Sequence, residues 1–104
     1  MGKLTYDSRI TADFDDRVLA HIQLVVGAKL RRGESFYFSW VHDPVTGGGR
    51  SSIWLNPSIP LFYSYVNKLS TSYNREWVEL LSESANSTGG LQLLPEPLAA
   101  RPAA

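Results

Sequence analysis

One amphipathic helix that leads directly into one aromatic strand, within residues 15–40, constrains this chain more than any other feature. Six apolar side chains recur at helical spacing: Val18, Leu19, Ile22, Val25, Val26 and Leu30. Gly33 follows, and glycine is the residue that most readily ends a helix in the left-handed conformation. Phe36, Phe38 and Trp40 then occupy alternate positions, so they share one face of a strand. We expect the helix and the strand to bury their apolar faces against each other.

The chain of 104 residues carries ten basic and ten acidic side chains and no cysteine. This length suits one domain with its own core. The balanced charge gives no net field that would draw the whole molecule to nucleic acid or to a membrane. The lack of cysteine excludes disulfides and thiolate zinc sites. Because no apolar run is long enough for a signal peptide or a membrane span, we expect a soluble, cytoplasmic protein without a membrane partner.

Turn residues divide the rest of the chain into short strands and a second helix. Lys3–Tyr6 and Arg9–Phe14 alternate around Asp7-Ser8, which predicts an opening hairpin. The later predicted elements are strands at Arg50–Leu55 and Leu61–Tyr65, a helix capped by Asn74, and a short strand at Leu91–Leu94. The order β-β-α-β-β-β-α-β predicts an α+β fold, a mainly antiparallel sheet with both helices packed on one face. We assign residues 1–97 to this domain and 98–104, rich in alanine and proline, to a mobile tail.

Lys29, Arg31 and Arg32 form the densest basic cluster, at the end of the first predicted helix. Cations stabilise that position through the helix dipole, which explains the cluster without any ligand. The functional alternative adds Arg50, because sheet aromatics beside arginines can stack nucleobases. We therefore hold these four residues as candidate nucleic-acid or anion-binding residues.

Four aromatic residues on the predicted strands form a candidate interaction surface: Tyr37, Trp54, Tyr63 and Tyr65. If helices cover one face of the sheet, aromatic residues on the other face meet either solvent or a partner. A contiguous aromatic patch is typical of an interaction surface. The candidate partners are a second copy of the chain, nucleic acid and a repair protein.

The alternative is a small enzyme or ligand-binding protein with a pocket near His42, Asp43 and the Gly47–Gly49 loop. Catalysis there would need His42 to reach one of three nearby serines: Ser39, Ser51 and Ser52. The glycine loop lies between two predicted strands and lacks a Gly-Lys-Ser/Thr sequence. Both observations favour a hairpin loop over a phosphate-binding loop.

A metal site would need His21 to meet carboxylates from Asp13, Asp15 or Asp16. Helix capping and the helix dipole explain Asp15 and Asp16 without a ligand. We expect His21 to be a partly buried structural residue. The sequence accordingly assigns no metal, no cofactor and no catalytic residue.

Joined motifs cover nearly the whole chain, from Met1 to Pro97. They read LTYDSRITADFDDRVLAHIQLVVGAKLRRGESFYFSW, GGGRSSIWLNPSIPL and NREWVELLSESANS, with a closing PEP. In these motifs the chain resembles a family of short, stand-alone actinobacterial proteins of unknown function, often labelled ATP-dependent DNA ligase. Nucleotidyl transfer of that kind needs a lysine in a Lys-x-Asp-Gly setting, and none of the three lysines has one. Our first hypothesis is a non-enzymatic interaction module that self-associates through its aromatic sheet face and has nucleic acid or a DNA-repair protein as its client.

Overall fold

The computed structural model describes residues 1–42, 47–67 and 72–97. Its elements are β1 (Gly2–Tyr6), β2 (Ile10–Phe14), α1 (Asp16–Arg31), β3 (Phe36–Val41), β4 (Arg50–Leu55), β5 (Leu61–Ser64), α2 (Arg75–Ala85) and β6 (Leu91–Gln92). This order confirms the predicted succession of strands and helices and the α+β class. The predicted tail at 98–104 lies outside the described residues, as does Asp43.

The strands form two three-stranded sheets, ordered β2-β1-β5 and β4-β3-β6, rather than the single sheet expected. Every pair is antiparallel except β3 with β6. The prolines after β4 explain the division, because proline cannot donate to a strand ladder. The turn at Pro60 brings β5 to β1, and the Asp7 backbone N–H donates to the Pro60 carbonyl at 3.0 Å. The Tyr6 hydroxyl donates to the Trp54 carbonyl at 2.6 Å and links the two sheets.

Helix α1 ends as the sequence predicts. Gly33 has a φ of 78°, a conformation that glycine adopts without strain. The Gly33 N–H donates to the Leu30 carbonyl at 2.9 Å, and the Glu34 N–H donates to the Lys29 carbonyl at 3.2 Å. This pair of bonds is the Schellman pattern, which satisfies carbonyls left open at a helix end. The chain thereby turns directly into β3.

Helix α2 begins at its predicted cap. The Asn74 Oδ1 accepts the Trp77 backbone N–H at 3.2 Å, as expected of an N-cap residue. The buried face carries Trp77, Leu81 and Ala85. The Trp77 indole N–H donates to the Leu94 carbonyl at 2.9 Å, which fixes the segment after β6 against the helix.

The two helices and both sheets share one apolar core. Helix α1 contacts β1 and α2, and α2 contacts β3 and β6. The largest apolar side chains that are almost fully buried are Leu19, Ile22, Phe38, Leu55, Trp77, Leu81 and Leu91. Ile10 is 52% exposed, because it begins β2 beside the hairpin turn. Neither α1 nor α2 has the length and apolar character needed to cross a membrane.

Candidate functional site

An exposed pair of aromatic rings lies on the outer face of the sheet β4-β3-β6. Tyr37 on β3 and Trp54 on β4 are directly opposite in register, and their ring centroids are 4.9 Å apart. Side chains alternate along a strand, so the burial of Phe36 and Phe38 turns Tyr37 outward. Tyr37 is 51% exposed and Trp54 is 43% exposed. The pair therefore offers solvent two ring surfaces that can stack against a planar group.

The same face carries a positively charged side chain, Arg50, four residues before Trp54 on β4. Arg50 is exposed and lies opposite Val41, while the Ser39 and Ser52 hydroxyls, between these two pairs, are 2.6 Å apart. On these two strands the side opposite Phe36 and Phe38 carries Tyr37, Ser39, Val41, Arg50, Ser52 and Trp54. Ser39 is buried there, and the other five are exposed. None of them is Asp or Glu, so this face combines aromatic rings and positive charge without a carboxylate. We call these six residues the aromatic face.

The predicted basic cluster is divided by the fold. Lys29 is buried, and its ammonium donates to Asn86 Oδ1 and to Glu34 Oε1, both at 2.7 Å. Arg32 is exposed and pairs with the same carboxylate at 3.0 Å. Hydrogen bonds from Lys29 and then from Arg32 lower the pKa of Glu34. Arg31 faces elsewhere and lines a groove of about 380 Å³ that Tyr63 also lines.

Tyr63 and Tyr65 do not join Tyr37 and Trp54 on the aromatic face. Tyr63 belongs to the other sheet and packs against the core, and its burial raises the pKa of its hydroxyl. The Tyr65 hydroxyl donates to Gln23 Oε1 at 2.6 Å, and burial is the main cause that raises its pKa to about 12. The four predicted aromatics therefore form two separate groups, one open and one half-buried.

A groove of about 360 Å³ runs beside the aromatic face. Its lining is Lys29, Ser35, Phe36, Tyr37, Trp54, Ala85, Asn86, Ser87, Thr88 and Gly90. In the sequence, the polar run Asn86–Thr88 indicates only the end of a helix. Its one signal is that three small polar residues follow the apolar stripe of α2. These residues line the same groove as Trp54 because of the way α2 packs against β3, and local sequence does not predict that packing.

His42 does reach a serine. Its Nε2 is 2.7 Å from the Ser51 hydroxyl, and its backbone N–H donates to the Gly49 carbonyl at 2.8 Å. Asp43, the predicted acidic neighbour, lies outside the described residues. The backbone bond between His42 and Gly49 extends the pairing of β3 with β4 by one residue pair beyond Val41 and Arg50.

His21 is fully buried and both ring nitrogens are occupied. Its Nδ1 donates to the Arg17 carbonyl at 2.8 Å, and its Nε2 accepts the Asn74 backbone N–H at 2.9 Å. The ring also stacks on Trp77 with centroids 4.5 Å apart. With each nitrogen already bonded, the ring has no lone pair left for a metal ion.

The three acidic candidates separate. Asp13 pairs with Lys3 at 2.8 Å, and the Asp15 side chain makes no capping bond. Asp16 accepts backbone N–H bonds from Val66 and Asn67, and the Asn67 bond is the main cause that lowers its pKa. Within the described ranges, no three His, Asp or Glu side chains come close enough together to hold a metal ion.

Comparison with curated proteins and with solved structures finds no match. A family model matches residues 1–96, a range that takes in both sheets, both helices and the groove. The chain therefore belongs to that family, which is described as a domain of unknown function, DUF7882.

Proposed function

We propose that this protein is a non-enzymatic binding module that holds single-stranded nucleic acid on the aromatic face. The exposed pair of Tyr37 and Trp54, with Arg50 on the same carboxylate-free face, carries the proposal. Stacking of a base on an aromatic side chain contributes about 1–3 kcal/mol. An arginine along the same strand supplies a contact for phosphate. The DNA-related label of the proteins that the sequence resembles agrees with this partner class.

The chemistry of the face favours a single strand over a duplex. Bases in a duplex are stacked on each other, so exposed rings cannot reach their flat surfaces. Because the chain as a whole is neutral, binding has to come from stacking more than from phosphate neutralisation. With one or two phosphate contacts, log K should fall with log salt at a slope of only about −0.7 to −1.4.

Self-association through this face alone is less favoured, for a reason of size. Two strands of six residues give a surface about 20 Å long and 10 Å wide, or roughly 200 Å². A stable complex buries about 800 Å² on each partner. A second copy or a repair protein would therefore need further surface beyond the aromatic face.

The test is binding of a labelled single-stranded oligonucleotide, measured by fluorescence anisotropy beside light-scattering mass. Trp54→Ala should weaken binding about 5- to 150-fold, which corresponds to the loss of one stacked base. Phe62→Ala is the matched control, because Phe62 is 65% exposed on the other sheet. Arg50→Ala should reduce the salt slope, whereas Arg9→Ala, in the opening hairpin, should not.

Equal affinities for the Trp54 and Phe62 variants would refute the proposal. The proposal would also be refuted if the protein bound no single-stranded oligonucleotide and its mass doubled as its concentration was raised. That result would favour the self-associating alternative.

The enzyme alternative rests on the 2.7 Å contact between His42 and Ser51. If that pair were catalytic, a fluorophosphonate reagent would label Ser51, and Ser51→Ala would abolish labelling. A binding module should remain unlabelled under conditions that label a serine hydrolase. Stoichiometric labelling at Ser51, read by intact mass, would favour the enzyme.

A further inference from the structure

The groove beside the aromatic face has the size and the walls of a site for one planar group. Trp54 and Tyr37 line one part of it, and Asn86, Ser87 and Thr88 line another. Its volume of about 360 Å³ falls in the range of small-molecule sites, about 300–1,000 Å³. A base stacked on Trp54 would therefore present its polar edge to the turn that follows α2.

The turn that follows α2 packs closely against β3. Gly90 has a φ of 82°, and a Cβ there would lie only 2.5 Å from the Tyr37 carbonyl oxygen. The Ser87 hydroxyl donates to the Ser84 carbonyl at 2.6 Å, within the same turn. The Gly90 N–H donates to the Ser87 carbonyl at 3.1 Å. These contacts keep the polar residues of the turn at a set distance from the aromatic pair, which lowers the entropy cost of binding.

The one side-chain amide that lines the groove, that of Asn86, has a defined direction. Lys29 Nζ donates to Asn86 Oδ1 at 2.7 Å, so the amide oxygen is occupied. The amide Nδ2, which can only donate, has no hydrogen-bond partner among the described residues. The Thr88 hydroxyl can donate or accept, so it does not discriminate between bases. Asn86 therefore presents a fixed donor.

We propose, on the basis of the nucleic-acid function above, that this groove holds one base of the bound strand and selects keto bases. Thymine carries an acceptor oxygen at the position where cytosine carries an amino donor, and guanine differs from adenine in the same way. The Asn86 amide donates to the keto oxygen of thymine or guanine. With cytosine or adenine it faces an amino group, so two donors meet and no hydrogen bond forms. Thymine and guanine are thus preferred to cytosine and adenine.

The experiment compares oligo-dT with oligo-dC of equal length, because both are pyrimidines and differ at the exocyclic group. One hydrogen bond made in dT and missing in dC should give about a 3- to 10-fold preference for dT. Asn86→Asp keeps an oxygen for Lys29 and replaces the amide donor with an acceptor. This variant should bring the dT-to-dC ratio to one or below.

Asn56→Asp is the matched control, since it adds the same charge while its Oδ1 can still accept the Ser58 N–H. It should leave the dT-to-dC ratio of the native chain unchanged. Equal binding of dT and dC by the native chain would overturn base selection and leave the proposed function intact. A dT preference that survives Asn86→Asp would also overturn it. Binding of neither oligonucleotide would instead refute the proposed function itself.

Discussion

Two cations that look alike in the sequence have opposite surroundings in the fold. Lys29 is 7% exposed and lies 5.4 Å from the centre of the Phe36 ring, with Glu34 as its ion-pair partner. Arg50 is exposed on a face without carboxylates. Sequence placed Lys29 correctly at the end of a helix, but its burial depends on Asn86, which a distant helix delivers. Of the four candidate basic residues, Arg50 is therefore the one that the proposed function uses directly.

Glu96 is expected to set part of the acid sensitivity of this fold. Its carboxylate accepts Arg17 Nε at 2.9 Å and Nη2 at 2.7 Å, and it also accepts Asn74 Nδ2. These bonds, those from Arg17 first, lower its pKa from 4.5 to about 2. The unfolded chain therefore takes up this proton first as the pH falls, so stability present above pH 4.5 is lost progressively towards pH 2.

Urea unfolding at a series of pH values checks this expectation. Glu96→Gln should flatten the acid limb of the stability curve, while Asp16 and Glu34, whose pKa values are also lowered, retain part of it. Glu79→Gln, at an exposed position of α2, should leave the limb unchanged. Parallel acid limbs for the native chain and Glu96→Gln would contradict the role of Glu96.

Local sequence signals predicted the order of the helices and strands and where the helices begin and end, but not which strands pair with each other. Gly33 and Asn74 marked a helix end and a helix start from sequence alone, because caps use neighbouring residues. Alternation likewise predicted that Tyr37 faces away from Phe36 and Phe38. The separation of Tyr63 from Trp54 was not predictable, because β5 pairs with β1 and strand pairing is non-local. The groove was missed for the same reason.

The turn between α2 and β6 should tolerate a side chain far less than the turn after α1. Gly33→Ala places a Cβ in open space at positive φ, which costs about 1–2 kcal/mol. Gly90→Ala adds an overlap with the Tyr37 carbonyl, and overpacking of this kind costs about 1–3 kcal/mol more. Urea unfolding of both variants measures the difference, and equal losses would mean that the turn is not packed against β3.

At the scale of the whole molecule, one core holds two small sheets, and this arrangement leaves one outer face aromatic. The outer face of the other sheet is mostly polar, with Lys3 paired to Asp13 and Thr5 beside Thr11. Length predicted a single domain, since a chain of this size supports one core, and the order of strands and helices predicted the α+β class. The contrast between the two outer faces follows from the division into two sheets, which sequence did not reveal. The proposed function depends on that contrast.

Amide chemical-shift mapping during titration with oligo-dT shows directly whether single-stranded nucleic acid binds on the aromatic face. Binding on the aromatic face should shift the amide signals of Tyr37, Val41, Arg50, Trp54 and the turn 86–90, with the indole signal of Trp54 moving most. The backbone signals of β1 and β2 should stay in place and serve as the internal control. Shifts confined to those two strands, or no shifts at a concentration of oligo-dT that saturates known single-strand binders, would rule out binding on the aromatic face.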